Sequence, residues 1–382
     1  MKFTMNSKEF MRLVGIVDFV SRDSLTLKNR KASTDSAIYA VLIAKKDKII
    51  IKSASENVFY IKTSGSATVA KKGKCTIDIS AFSGFNLKAK DVTVEDTGDK
   101  LKVNCGRLKS ILDIKSDITE IEDSLPDKEP DTDISLPIAG LSDAKNHVIF
   151  SSHDSEIEYS LPFSLITTKK GSVYACSNDH YCTSIHKIKD FKGKLKLKEM
   201  RTIPESILDR IIRSTLDKEI SFGFGSESFT LKTNDITLTY PQPEYDALAD
   251  VVEAMKDWRN KKSSLTFEVN PADLSDKIEE VGSVRDDDDA KIDLKIKDKK
   301  LILNLSGALG EAKSYVNVKN ISGKKNDLSV VYGVFSSFVS HISALVEEKC
   351  TITTIQNLVL VETLDKNTCF TFTAIADDYE EE

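Results

Sequence analysis

Cys176, His180, Cys182 and His186 fall within the thirteen residues YACSNDHYCTSIH, and Asp179 lies among them. These are residue types that ligate zinc or form nucleophile and base pairs. All four carry even numbers, so on one uninterrupted strand they share a face. At about 3.3 Å per residue, however, Cys176 and His186 then stand roughly 33 Å apart, too far for one ion. If Asn178 and Asp179 turn the chain instead, two or three of the four converge. The paired C-x2-C spacing that marks a zinc site is absent throughout. The segment therefore reads as a strand, a turn and a second strand whose tip serves another purpose. A hydrolase or metal enzyme using Cys182 and His180 is the alternative.

Other chemistry is sparse. Arg285 to Ala290, RDDDDA, clusters carboxylates of the kind that suit hard cations, but it lacks the glycine and the distant glutamate of a calcium loop and reads as a solvated hairpin loop. No Gly-rich phosphate loop, G-x-S-x-G elbow or H-E-x-x-H is present. The expectation is a protein that is not an enzyme and has no metal and no cofactor.

The elements that would position such residues follow from length and periodicity. A chain of 382 residues is too long for one ordinary core. Its 40% hydrophobic and 30% charged content describes a soluble globular protein. Six scattered cysteines form no disulfide framework, and MKFTMNSKEF offers no apolar run of signal-peptide type, which together predict a cytoplasmic protein. No stretch approaches the ~20 apolar residues of a membrane span. The net charge of -6 argues against gripping nucleic acid by overall positive charge, while leaving room for a basic face.

The strongest pattern is a module that repeats: a short strand, a helix start, then several alternating runs. In the first copy, KFTM precedes a helix with Ser7 as cap and an apolar stripe of Phe10, Leu13, Val14 and Val17. Ile207, Leu208, Ile211 and Ile212 follow Pro204 in a fourth copy. Leu274, Ile278 and Val281 follow Asn270 and Pro271 in a fifth, and Phe335, Phe338, Val339 and Ile342 form a sixth. CTIDISAFSGFNL and DISLPIAGLSDAKNHV are weaker copies. KDK at 46–48 and KDKK at 297–300 read as hairpin turns. Two modules fill an ordinary domain, so six predict an α+β protein of three similar domains, with boundaries at 1–127, 128–260 and 261–382.

Three domains built from doubled strand-helix-strands modules resemble the bacterial sliding clamp, the beta subunit of DNA polymerase III. MKFTM resembles that family's opening, and LKVNCGRLKSILDI its first-domain pattern of strand, Gly-Arg and strand. The second-domain turn, usually Thr-Asp-Gly-His-Arg-Leu, reads Ser177 to Cys182 here and keeps only His180. YPQPEYDAL resembles the family's Phe-Pro-Asp-Tyr segment, whereas FTFTAIADDYEEE replaces its apolar end with an acidic tail.

The resemblance implies a DNA polymerase processivity factor: a head-to-tail homodimer with antiparallel sheets outside and helices lining a ring around double-stranded DNA. A trimer of two-domain subunits, as in proliferating cell nuclear antigen, fits the helix count less well. The implied partners are duplex DNA bound without sequence preference, a replicative DNA polymerase, a clamp loader and a second copy of the chain, with no membrane. By position, partner peptides dock in a groove of Leu161, Ser177, Asp179, His180, Cys182, Pro243, Leu248 and Ile375. Loose basic contacts suit sliding. Their candidates are Lys8, Arg12, Arg22, Lys28, Arg30, Lys31, Lys145, Arg210 and Arg213, and each is also readable as a solvated surface charge. Ring closure by edge-strand pairing is expected to bring Leu108, Lys109 and Ser110 to the region around Val281. The helix bearing Asp273, Asp276, Glu279 and Glu280 would be repelled by DNA, so either those residues turn toward the rim or this part of the ring stands off the duplex. A β-rich assembly protein without a DNA role is the remaining alternative.

Overall fold

The computed structural model describes residues 1–28, 39–55, 59–82, 84–115, 131–148, 161–167, 172–178, 182–193, 200–203, 205–224, 228–241, 257, 260–261, 263–285, 287–324, 327–345, 349–355 and 358–373. Among the described residues the strand-helix-strands module occurs five times, and one further copy has a 3-10 turn in place of the helix. The first copy is Lys2–Asn6, α1 (Ser7–Lys28), Tyr39–Lys45, Lys48–Ser55 and Phe59–Ser66. In the second, a 3-10 turn at Ile79–Phe82 stands between Gly73–Asp78 and the strands Asp91–Asp96, Lys100–Cys105 and Leu108–Lys115. The third runs through Ile134–Pro137, α2 (Ile138–Val148), Leu161–Thr167, Val173–Asn178 and Cys182–Ile188. The fourth is Met200–Thr202, α3 (Glu205–Ser214), Glu219–Phe224, Ser228–Lys232 and Ile236–Pro241. The fifth comprises Leu265–Val269, α4 (Pro271–Gly282), Lys291–Lys297, Lys300–Gly307 and Gly310–Asn317. The sixth is Leu328–Val331, α5 (Tyr332–Leu345), Cys350–Ile355, Leu358–Thr363 and Thr368–Thr373.

The chain divides into two compact units. One holds Met1–Gly140, Asp190–Leu195 and Ile203–Glu244, the other Leu141–Lys189, Lys196–Thr202 and Tyr245–Glu382. The first unit is built on a single 14-stranded antiparallel sheet. It is continuous because Ile236–Pro241 pairs with Phe59–Ser66, with Ile236 opposite Thr63 and Leu238 opposite Ile61. The second unit has a nine-stranded sheet, in which Cys182–Ile188 pairs with Thr368–Thr373, and a four-stranded sheet ending at Gly310–Asn317. Modules far apart in sequence thus share one hydrogen-bonded ladder, which leaves fewer open edges than separate sheets would.

The helical stripes are core. Phe10, Leu13, Val14 and Val17 of α1 are buried, as are Ile207, Leu208 and Ile211 of α3, while Ile212 is half-buried. In the second unit Leu274, Ile278, Val281, Phe335, Phe338, Val339 and Ile342 join one cluster with Leu303, Phe370 and Phe372. Two local expectations change. The α1 cap is Asn6, whose Oδ1 accepts from the Lys8 and Glu9 amides at 3.1 and 3.2 Å, while the Ser7 hydroxyl donates to the Ala89 carbonyl. The second module has no α-helix among the described residues: Asp78 Oδ1 accepts from the Ser80 amide at 3.0 Å, but the turn ends at Phe82, and Gly84, a poor helix former, follows two residues later. Both expected hairpin turns are present. Lys46 is left-handed (φ 55°), and Asp298 and Lys299 at φ 50° and 61° match the signature of a type I′ turn.

Gly282, at the end of α4, is required by close approach: a Cβ there meets the Tyr332 hydroxyl at 2.1 Å and its ring carbons at 2.5 and 2.7 Å. The ring is fixed from the other side by Arg285, whose guanidinium carbon is 4.9 Å from its centroid. Gly282→Ala is therefore expected to lower unfolding free energy by about 1–3 kcal/mol despite its better helix propensity. Chemical denaturation reads this directly, and an unchanged midpoint shows that Tyr332 can move aside.

Candidate functional site

Two groups of side chains carry the functional possibilities, one in each unit. In the first, α1 and α3 pack antiparallel, with Arg12 near Ser214 and Phe19 near Arg210. Lys8 is exposed in the first turn of α1. Arg12 is turned inward: its guanidinium donates to Glu9 at 2.7 and 2.8 Å, to Asp235, and to the Ser214 carbonyl at 2.6 Å. The Glu9 hydrogen bond raises its pKa, burial opposes this, and Asp235 adds to the rise. Its charge is thus balanced within the protein, and it fastens α1 to α3 and to the Thr233–Ile236 turn.

Arg22 pairs with Asp18 at 3.1 Å. Arg210 lies over Phe19, 5.6 Å from the ring centroid, and is exposed. Arg213 reaches Asp209 at 3.4 Å with its side chain 80% exposed. Lys145 is half-buried on α2. The side chain of Lys28, and Arg30 and Lys31, lie outside the described residues. In the second unit, to which Lys145 belongs, the balance on the later helices is the reverse. Asp273, Asp276, Glu279 and Glu280 are exposed on α4, and α5 (YGVFSSFVSHISAL) carries no Lys or Arg.

The Cys and His segment is a hairpin. Val173–Asn178 pairs with Cys182–Ile188, so that Cys176 faces Ile185 and Asn178 faces Thr183. Cys176 and Cys182 are buried, and burial pushes the Cys176 thiol up, away from the reactive thiolate. Ser177 is buried and its hydroxyl donates to the Val148 carbonyl. Cys182 belongs to the core cluster with Phe370 and Phe372. Leu161 begins the strand beside this hairpin, opposite Asn178. Asp179, His180, Pro243, Leu248 and Ile375, expected to complete a groove, fall outside the described residues, so the flanks of the turn are placed and its tip is not.

The hairpin does build a cluster that spacing alone concealed. His186 on its second strand stacks on His147 of α2 with centroids 4.4 Å apart, and Asp143, one turn before His147, lies beside both. Burial, followed by the His147 charge, lowers the His186 pKa to about 4 against the opposing pull of Asp143 and Asp365, so this imidazole is neutral near pH 7. An aspartate and a histidine four apart on a helix are the only local signal; a partner some forty residues away is supplied by packing.

Leu108, Lys109 and Ser110 lie in Leu108–Lys115, which pairs fully with Lys100–Cys105 on one side but with Gly73–Asp78 only at Ile114 and Lys115. Among the described residues, 108–112 pair with a strand on one side only, with Leu108 36% and Ile111 63% exposed. Val281 is 1% exposed and packs in the core. The edge nearest to it in the fold is Gly310–Asn317, the terminal strand of its sheet, which bears half-exposed Tyr315 and is tied to α4 by a 2.7 Å hydrogen bond from Ser314 to Glu280. Among the described residues no helix is long and apolar enough to cross a membrane.

No protein-family model and no curated protein sequence matches the chain. Among solved structures it is similar to the DNA polymerase III subunit beta of Pseudomonas aeruginosa, at 12% identity and a TM-score of 0.74, over 98% of this chain and 100% of that one. It is similar to the DNA polymerase sliding clamp of Caulobacter crescentus at 13% identity and a TM-score of 0.74, over 98% and 100%. For the beta subunit from the DNA polymerase of Streptococcus pyogenes the figures are 12% and 0.73, over 98% and 100%. At such identities the likeness establishes the fold.

Proposed function

We propose that this chain, which has the sliding-clamp fold, is a processivity factor that encircles duplex DNA and tethers a replicative polymerase to it. The observation that carries the reading is the likeness over 98% of the chain to solved sliding clamps that are themselves covered to their full length. The working body is three domains, 1–127, 128–260 and 261–382, two chains closing head to tail into a ring of six. Its action is topological rather than catalytic. A buried Cys182 and a Cys176 thiol held protonated give the hydrolase alternative no nucleophile in the hairpin strands.

Closure by pairing the 108–112 edge of one chain with Gly310–Asn317 of another satisfies the open backbone groups of both. Charge is complementary in part: Arg107 and Lys109 accompany the first edge and Glu280 and Glu311 the second, while Asp113 and Lys313 carry the opposite signs. The acidic α4 thereby gains a role at a subunit junction, which removes the difficulty of aiming it at phosphates. DNA contact falls to Lys8, Arg22, Arg210 and Arg213 on the α1 and α3 pair and to Lys145 on α2, with Lys28 as the last residue of α1 and Arg30 and Lys31 next in sequence. Arg12 is a fastener of that pair. Polymerase and loader peptides dock at Leu161, Ser177, Asp179, His180, Cys182, Pro243, Leu248 and Ile375, of which Ser177 and Cys182 are buried.

With a loader and ATP, the protein is expected to co-elute with nicked circular duplex at roughly 0.5 M salt, where phosphate contacts alone are heavily weakened. Cutting the circle should release it. Co-elution that survives linearisation contradicts encirclement.

A further inference from the structure

We propose that Asp143, His147 and His186 form a binding site for one transition-metal dication of the zinc type. One ligand atom from each of the three residues lies within 4.8 Å of the others. The two imidazoles are held from behind in the same way. His147 Nδ1 is 2.8 Å from the Asp143 main-chain oxygen, which only accepts, so Nδ1 carries the ring proton and Nε2 the lone pair. His186 Nδ1 is 2.7 Å from the Thr368 hydroxyl, which accepts its proton when Nε2 is the ligand. No hydrogen bond reaches either Nε2 among the described residues. An outer partner on one ring nitrogen and a free lone pair on the other is the arrangement of metal-bound histidines.

The carboxylate is placed to join them. Asp143 Oδ2 is 3.6 Å from His186 Nε2. Bonds of about 2.0–2.1 Å to a tetrahedral ion set neighbouring ligand atoms roughly 3.3–3.4 Å apart, so the nitrogen of His186 and the carboxylate need close by only a few tenths of an ångström. The remaining gap, to His147, lies within the 4.8 Å spread of the three ligand atoms. Among the described residues the two histidines are the ion-pair partners that the Asp143 carboxylate has. Both rings are largely buried, with side chains 13% and 11% exposed, while the Asp143 side chain is 60% exposed and leaves an entry path.

Two nitrogens and one oxygen select zinc and its first-row neighbours over magnesium and calcium, which take oxygen ligands. Three protein ligands leave a fourth position for water. The ion would bind α2, through Asp143 and His147, to Cys182–Ile188, whose His186 is in turn anchored on Thr368 of the final strand, and so would fix a helix against the pairing of two distant modules. This site is independent of the clamp reading.

Zn2+ titration of chelator-treated full-length protein, followed by calorimetry, is expected to show one saturable equivalent per chain, and Co2+ to give the intense visible bands of a tetrahedral site. Asp143→Asn, at an exposed position that preserves the fold, is expected to weaken Zn2+ at least about tenfold and to bleach those bands. Thr368→Val, which removes only the outer partner, should weaken it roughly tenfold while retaining the bands. Zn2+ should also raise the Tm of the parent and not of Asp143→Asn. All six cysteines are buried in the native state, which limits competing binding there. Absence of a saturable equivalent in the parent, or equal affinity and spectra in parent and Asp143→Asn, overturns the proposal.

Discussion

Ile111→Asp is expected to convert a dimeric ring to monomers at micromolar concentration while leaving the fold intact. Ile111 is 63% exposed and sits on the part of Leu108–Lys115 that pairs on one side only, so its side chain contributes little to the subunit's own core. In the proposed junction it lies between two strands. Removing an apolar side chain from such an interface costs about 1.5–3 kcal/mol, and an aspartate adds the cost of taking a charge out of water. A closed dimer contains the junction twice, so both penalties fall on one association step. The apolar loss alone, counted twice, is about 3–6 kcal/mol, which corresponds to a dissociation constant roughly 10² to 10⁴ times larger. Sedimentation or light scattering measures it, with circular dichroism as the control for folding. A dimer that survives Ile111→Asp removes this edge from the interface and sends the search to the other strand termini.

Arg210→Glu with Arg213→Glu is expected to cut DNA retention and processive synthesis strongly without unfolding the protein. Both residues are exposed on α3, outside its buried Ile207, Leu208 and Ile211 stripe. The cost to stability is small: the Arg213 to Asp209 pair is exposed to solvent, and the stacking of Arg210 on Phe19 is worth about 0.5–1 kcal/mol. On DNA the effect is larger because each subunit gives up two cations that neutralise phosphates and presents two repulsions instead. Every phosphate left unneutralised lowers the slope of log affinity against log salt by about 0.9, so a ring with four such positions should see its slope fall by roughly 3–4 units. Arg12→Ala is the contrasting case, since its guanidinium serves Glu9, Asp235 and Ser214 and its removal should fall on stability instead. Unchanged salt dependence in the double variant excludes Arg210 and Arg213 from the DNA-facing surface.

The modular architecture was legible because a helix stripe needs only local spacing. Phe10, Leu13, Val14 and Val17 recur at helical intervals and are all buried, and the same holds for Phe335, Phe338, Val339 and Ile342. Turn chemistry was equally local, as at Asp298 and Lys299. What failed locally was a competition between neighbours. Asn6 takes the cap expected of Ser7 because its carboxamide reaches two amides, while Ser7 finds the Ala89 carbonyl, a partner that only folding brings near.

Register was the larger gap. Which modules share a ladder depends on pairings such as Leu238 with Ile61 and Ile185 with Cys369, separated by more than 170 residues, and no periodicity encodes them. Val281 illustrates the consequence. Its spacing correctly placed it on the inner stripe of α4, which is incompatible with an exposed place at a subunit junction, and only the sheet order reveals Gly310–Asn317 as the edge available there. The cluster of Asp143, His147 and His186 was hidden for the same reason. Spacing groups His186 with Cys176, His180 and Cys182, its neighbours along the strand direction, whereas its neighbours across the fold come from α2 and from Thr368.

Small-angle X-ray scattering on the purified protein tests encirclement most directly, because forward scattering gives the mass and the distance distribution reveals a void. A mass near twice the 42.4 kDa of the chain, with a distribution depleted at intermediate distances by a central hole, is the expected result. A compact solid monomer at concentrations well above micromolar contradicts a self-closing ring and would turn attention to a β-rich assembly protein with no hold on DNA.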